Sequence, residues 1–171
     1  YLGGALKLHD NLSLGINASY LFGGLNRRKK LEFDDETVFN SRSNSLINLK
    51  GIYYEFGALY TMDIESSDAN LTIAINATNN TVISAKRSNL IETFEYSGIY
   101  EIVKDTFVNT VEKGDMMLPK YTNIGLTYKM DEWLFICDYS LQNWSDYELF
   151  GETDSLKNST KISSGLQYTP D

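Results

Sequence analysis

An all-β fold, an antiparallel transmembrane β-barrel with long extracellular loops, is what this sequence predicts. Three observations predict it. Seven short segments alternate apolar with polar residues at period two, their apolar faces end in aromatics, and short polar turns alternate with long charged loops between them. Successive side chains of a strand point to opposite faces. A barrel wall in lipid carries an apolar band with aromatic girdles outside and polar residues inside. The competing fold is a β-sandwich with one face on a core and one in water. It fits less well, because the polar faces hold mostly Gly, Ser, Thr and Asn rather than charges.

The segments follow in order. Residues 1–8 carry Leu2, Leu6 and Leu8 on one face. In 12–22, Leu12, Leu14, Ile16, Ala18, Tyr20 and Phe22 oppose Ser13, Gly15, Asn17 and Ser19, with Leu21 the exception. In 51–62, Ile52, Tyr54, Phe56, Ala58, Tyr60 and Met62 oppose Gly51, Tyr53, Glu55, Gly57, Leu59 and Thr61. Residues 71–77 contribute Leu71, Ile73, Ile75 and Ala77. In 122–130, Ile124, Leu126, Tyr128 and Met130 oppose Asn123, Gly125, Thr127 and Lys129. In 133–142, Trp133, Phe135, Cys137, Tyr139 and Leu141 oppose Leu134, Ile136, Asp138, Ser140 and Gln142. In 162–169, Ile162, Leu166 and Tyr168 oppose Ser163, Gly165, Gln167 and Thr169.

His9-Asp10-Asn11, residues 63–70, Asp131-Glu132 and the start of another at Thr169-Pro170-Asp171 are the short turns. The long connections are 23–48, 78–119 and 145–158, and the short-turn, long-loop asymmetry of such barrels places them outside the cell. A structureless run as long as 78–119 is improbable in a compact protein. Ile99, Val103, Phe107 and Val111 recur there at helical spacing before Gly114, so a short amphipathic helix within 99–113 is expected over the barrel mouth. The competing reading is a hairpin, since Thr106-Phe107-Val108 and Thr110-Val111 are strand formers. Either form puts an apolar surface where a hydrophobic ligand would first land.

Composition narrows the function. The 171 residues suit one domain, 1–171, and a net charge of −8 argues against nucleic-acid binding. The single cysteine, Cys137, excludes an intrachain disulfide, and the single histidine, His9, leaves no zinc site and no convincing catalytic triad. No catalytic residue, cofactor or metal is assigned, and the chain is expected not to be an enzyme. Arg27-Arg28-Lys29-Lys30 would meet lipopolysaccharide phosphates or simply be solvated. Asp146, Glu148, Glu152 and Asp154 make the third loop acidic, and spacing alone does not show the converging oxygens that calcium needs. Sequons at Asn17, Asn76, Asn79, Asn143 and Asn158 follow from Asn/Ser/Thr richness. The chain begins and ends inside the strand rhythm, and seven is an odd count where bacterial barrels use even ones, so it reads as an internal portion of a larger barrel.

Several stretches resemble the FadL-type outer-membrane transporter family: 14–23, Phe56-Gly57-Ala58-Leu59-Tyr60, Leu118-Pro119, 124–128, Trp133 through Asp138-Tyr139-Ser140 to Trp144-Ser145, and 165–170. The resemblance implies a fourteen-stranded barrel in a Gram-negative outer membrane, plugged by an N-terminal hatch that nothing here matches. It implies passive uptake of long-chain fatty acids or other hydrophobic small molecules. It also implies an alternative, a non-transporting partner or plug subunit of an outer-membrane protein secretion complex. The partners expected are outer-membrane lipid and lipopolysaccharide, a hydrophobic ligand and other outer-membrane proteins. By pleat parity the lumen candidates are Asn17, Tyr53, Glu55, Asn123, Lys129, Asp138 and Gln142, with Ile99, Val103 and Phe107 as loop candidates. A charged group facing lipid is unfavourable, so Glu55, Lys129 and Asp138 are expected to face inward, toward ligand or in a structural charge network. A rim enzyme built on His9 is the remaining alternative.

Overall fold

In the computed structural model, which describes residues 1–35, 37–65 and 68–170, the chain forms one antiparallel sheet of eleven strands. They are β1 (Leu2–His9), β2 (Leu12–Leu31), β3 (Asn40–Ile64), β4 (Ala69–Thr78), β5 (Thr81–Ser97), β6 (Tyr100–Leu118), β7 (Tyr121–Met130), β8 (Trp133–Gln142), β9 (Glu148–Leu149), β10 (Glu152–Thr153) and β11 (Ser159–Tyr168). Glu36, Ser66, Ser67 and Asp171, which belong to the acidic run 34–36 and to the expected turns 63–70 and 169–171, lie outside the described residues.

All seven rhythmic segments are strands, and they form one tier of the sheet in the order β1–β2–β3–β4–β7–β8–β11. Cross-strand pairing turns the alternation into two faces. Leu6, Leu14, Ala58, Ile75, Ile124, Tyr139 and Ile162 make an unbroken row across seven strands. The adjacent row, pointing the other way, is Ala5, Gly15, Gly57, Asn76, Asn123, Ser140 and Lys161. The ten steps from Leu12 to Phe22 rise about 34 Å along the strand, and a tilt of about 35–45° reduces that to about 24–28 Å of height. An outer-membrane apolar band is about 25 Å tall. Aromatics mark both ends. Trp133 lies 4.7 Å from Tyr168 and 6.3 Å from Phe135 near the turns, and Tyr20 stacks on Phe22 at 5.9 Å on the far side. The connections β1–β2, β3–β4 and β7–β8 are short and lie at one end, as expected.

The long connections differ from expectation. β2 and β3 do not stop at the band; their pairing continues unbroken to Leu31↔Ser41. β5 and β6 extend β4 and β7 in one register, from Ala77↔Thr122 below the interruption to Thr81↔Leu118 above it. Pro119, lacking an N–H, interrupts the strand there. Side chains bridge the gap: Thr78 Oγ1 accepts from the Tyr121 amide (2.9 Å) and Asn80 Oδ1 from that of Lys120 (2.7 Å).

Most of 23–48 and 78–119 is therefore strand rather than loop. The helix expected within 99–113 is absent, and the competing hairpin forms instead: β6, which contains Thr106-Phe107-Val108 and Thr110-Val111, is turned back on β5 at Gly98 with φ +63°. A spacing of four residues is a multiple of two as well as close to 3.6, so Ile99, Val103, Phe107 and Val111 suit a strand face equally, and the β-branched residues decide for it. Of the third loop, 145–158, part is ordered as a 3-10 turn (Trp144–Asp146) and the β9–β10 hairpin. Among the described residues there is no α-helix, and β1 and β11 are not paired, so the wall is open rather than closed.

The segment 143–151 folds over the face opposite the apolar row, just above the band. Ile83, Ala85 and Met116 are buried against Leu49, Leu118, Tyr147, Leu149 and Phe150. A Cβ on Gly51 would sit 2.3 Å from Ile83 Cγ2 and 3.1 Å from its Cα, so β3 and β5 meet here at a distance only glycine permits. Gly51→Ala is expected to destabilise by about 1–3 kcal/mol in urea unfolding, the usual cost of overpacking. Gly165→Ala, in open space, is the neutral control.

Candidate functional site

Pairing places the seven lumen candidates on one face of the sheet, opposite the apolar row; Glu55 and Asn17 are cross-strand neighbours, and the rest are spread along that face. Glu55 lies opposite Asn17 and Thr78, Asp138 opposite Gly125 and Ser163, and Lys129 opposite Asn70 and Leu134. Among the described residues none of Glu55, Lys129 and Asp138 makes an ion pair, so no charge network joins them. Ser140 Oγ donates to Asn123 Oδ1 (2.6 Å), and Tyr121 hydroxyl reaches Ser140 Oγ (3.4 Å). Tyr53 and Gln142 line the same face without a shared partner. This is a small-polar lining, not a converging pocket.

The more distinctive surface is the blade that β2, β3, β5 and β6 raise above the band. β6 alone, 19 residues at about 3.3 Å each, spans about 60 Å. Pairing of β1 with β2 ends at Ala18, and β9 covers β6 only at Met116 and Met117. Among the described residues the outer edges of β2 beyond Ala18 and of β6 from Tyr100 to Gly114 therefore carry unpaired backbone groups, the Asp115 carbonyl being the first to find a partner, the Phe150 amide (2.9 Å). Such edges are templates for another chain. Tyr100 (72% exposed) and Phe107 (65%) stand along the β6 edge with Val103 and Val111, and Ile99 (86%) caps the turn. The apolar residues at helical spacing are thus displayed along a free strand edge.

The blade's tip is held by charge. Lys30 Nζ reaches Glu101 Oε1 (2.6 Å), Glu32 Oε1 (2.8 Å) and Tyr96 Oη (2.6 Å), and Tyr96 hydroxyl donates to Glu32. Arg42 reaches Glu92 (2.8 Å) and Glu101 (2.7 Å). Beneath them Phe94 is completely buried, with Lys30 Nζ 4.9 Å and Arg42 Cζ 5.6 Å from its ring centre and Tyr96 edge-on at 5.6 Å. Arg28 and Lys30 share one face of β2 while Arg27 and Lys29 share the other, so the basic run is not a single patch and Lys30 is already engaged. Nothing in the sequence announced this cluster, because Lys30 and Glu101 are 71 positions apart.

Hydrogen bonding to Lys30 holds the Glu101 carboxyl below its ordinary value, with Arg42 adding to it, and Lys30 with Tyr96 does the same for Glu32. The same contacts, Glu101 foremost, raise Lys30. Lowered carboxylates stabilise the tip above their ordinary value of 4.5 and lose that contribution as the pH falls through their lowered values. The raised lysine contributes fully below 10.5 and loses its share as the pH rises through its raised value. A spin label at Ile99→Cys, in a Cys137→Ser background, is expected to stay ordered across neutral pH and to gain mobility below 4.5.

The family model for BamG matches residues 1–171, the whole chain. No curated protein and no solved structure matches it. The match overturns the FadL-type resemblance, and with it the expected hydrophobic-compound channel and transport role. The stretches that carried the resemblance are glycine- and aromatic-punctuated strands, which any antiparallel wall with one apolar face requires; they do not separate one barrel family from another.

Proposed function

Since the chain belongs to the BamG family, we propose that it forms part of an outer-membrane β-barrel wall whose projecting blade binds other outer-membrane proteins of the BAM complex, as a non-transporting subunit. The whole-chain family match carries this reading. The blade's geometry supports it: a barrel that only conducts small molecules has no use for long unpaired edges decorated with exposed aromatics, whereas an added strand would satisfy both the backbone and the side chains. In this reading the apolar face of the seven-strand tier meets lipid, and the blade and 145–158 project outside the cell. Further strands join β1 and β11, since an open edge is not stable in a bilayer. Asn17, Tyr53, Glu55, Asn123, Lys129, Asp138 and Gln142 then line the interior, with no catalytic role.

Extraction of the full-length protein from native membrane in mild detergent, followed by quantitation of copurifying BAM components, tests this. Tyr100→Asp and Phe107→Asp remove aromatic anchors and set a charge at the proposed contact. Each is expected to weaken association by about 2 kcal/mol or more, roughly thirtyfold, while heat-modifiable gel migration stays normal. Undiminished copurification by both variants would overturn the assignment of the blade.

A further inference from the structure

We infer that the lipid-facing side carries a binding site for the phosphate of an anionic lipid headgroup, built by Lys50, Lys86 and Lys113. The inference rests on the outer-membrane placement proposed above. Lys50 is opposite Ser84 and Phe22, Asn48 is opposite Lys86, and Lys86 is directly opposite Lys113, so all three lysines share the apolar band's face. That face is open at this level: Asn48, Lys50, Ser84 and Lys86 are exposed while the intervening Ile83 and Ala85 are buried on the other side. A groove of about 670 Å³ lies among them, with Asp115 at its edge.

Two independent observations point to an anion. The first is charge. Lysines directly opposite each other on a sheet repel, and among the described residues none of the three makes an ion pair. Asp115, opposite Ser84, is a single acid beside three ammonium groups. The second is height. Lys50 stands two positions beyond Ile52 on the same face and across from Phe22, the last aromatic of the band. Three ammonium groups immediately above a lipid-facing aromatic girdle lie at the level where headgroup phosphates sit, and the methylene stems below them suit the acyl boundary.

The test uses full-length protein in nanodiscs of a zwitterionic phospholipid, with or without lipid A, and reads the thermal unfolding midpoint. A ligand bound only to the folded state raises the midpoint. Lipid A is expected to raise that of the wild type, and Lys50→Gln/Lys86→Gln/Lys113→Gln is expected to abolish the rise. Affinity is expected to fall roughly fivefold for each lysine removed. An Arg27→Gln/Arg28→Gln control should keep the rise. Without lipid A the triple variant should be at least as stable as the wild type, because the Lys86–Lys113 repulsion is gone; that sign reversal separates ligand binding from structural support. Equal shifts in wild type and triple variant would overturn the inference. So would an equal shift from inorganic phosphate, which would make this a free-phosphate site. Failure of the wild type to enter nanodiscs would instead overturn the outer-membrane placement.

Discussion

Arginine in place of Ile124 is expected to cost about 2–4 kcal/mol of folding free energy in a phospholipid bilayer. Ile124 sits between Ile75 and Tyr139 in the outward row, near the middle of the band. A guanidinium there would have to leave water for hydrocarbon. Asn123→Arg, one residue away, points between Asn76 and Ser140 on the opposite face and should change stability little. The pair distinguishes a membrane wall from a sheet in water. Ile124 is 39% exposed, and a substitution at such a surface site in water usually costs within about 0.5 kcal/mol. Urea unfolding in vesicles, followed by heat-modifiable migration, reads both variants. Equal tolerance of arginine at 123 and 124 would mean that the apolar face does not meet lipid.

Phe94→Ala is expected to cost about 3–5 kcal/mol, the usual penalty for removing a buried phenylalanine. It is the largest fully buried side chain among the described residues, in a blade one sheet thick. Lys30 and Arg42 lie over its ring, so its loss also removes the surface on which they rest. The damage should stay local, because the band's ladders do not touch Phe94. Hydrogen exchange should therefore accelerate across 93–103 while the band strands keep their protection. Association with outer-membrane partners should fall, as the free β6 edge loses its order. Uniform loss of protection in both tiers would show that blade and band unfold as one unit.

The band was legible in the sequence because period-two alternation is a local property, and register follows once Leu14, Ala58, Ile75 and Ile124 must share a face. The blade was not legible, for three reasons. Residues 23–31 and 40–50 have mixed polar faces, so Leu25 and Asn48 send no alternation signal. The four-residue spacing from Ile99 to Val111 fits a strand and a helix alike. The network at the tip joins Lys30, Arg42, Glu92 and Glu101, which only the fold brings together. Parity put the lumen candidates on one face of the sheet, yet a face is not a site: Glu55 is on β3, and Lys129 and Asp138, on the paired strands β7 and β8, are in different registers. The family was misjudged because wall segments such as 56–60 and 165–170 report the physics of a barrel surface rather than what the barrel does.

Photo-crosslinking in intact cells, with a photoreactive amino acid placed in turn at Ile124 and at Phe107 of the full-length protein, separates a lipid-facing wall from a partner-binding blade. Lipid adducts are expected from position 124 and protein adducts from position 107, the latter identified by mass spectrometry as BAM components. Lipid adducts alone from position 107, or protein adducts that lack any outer-membrane assembly component, would contradict the partner-binding role of the blade.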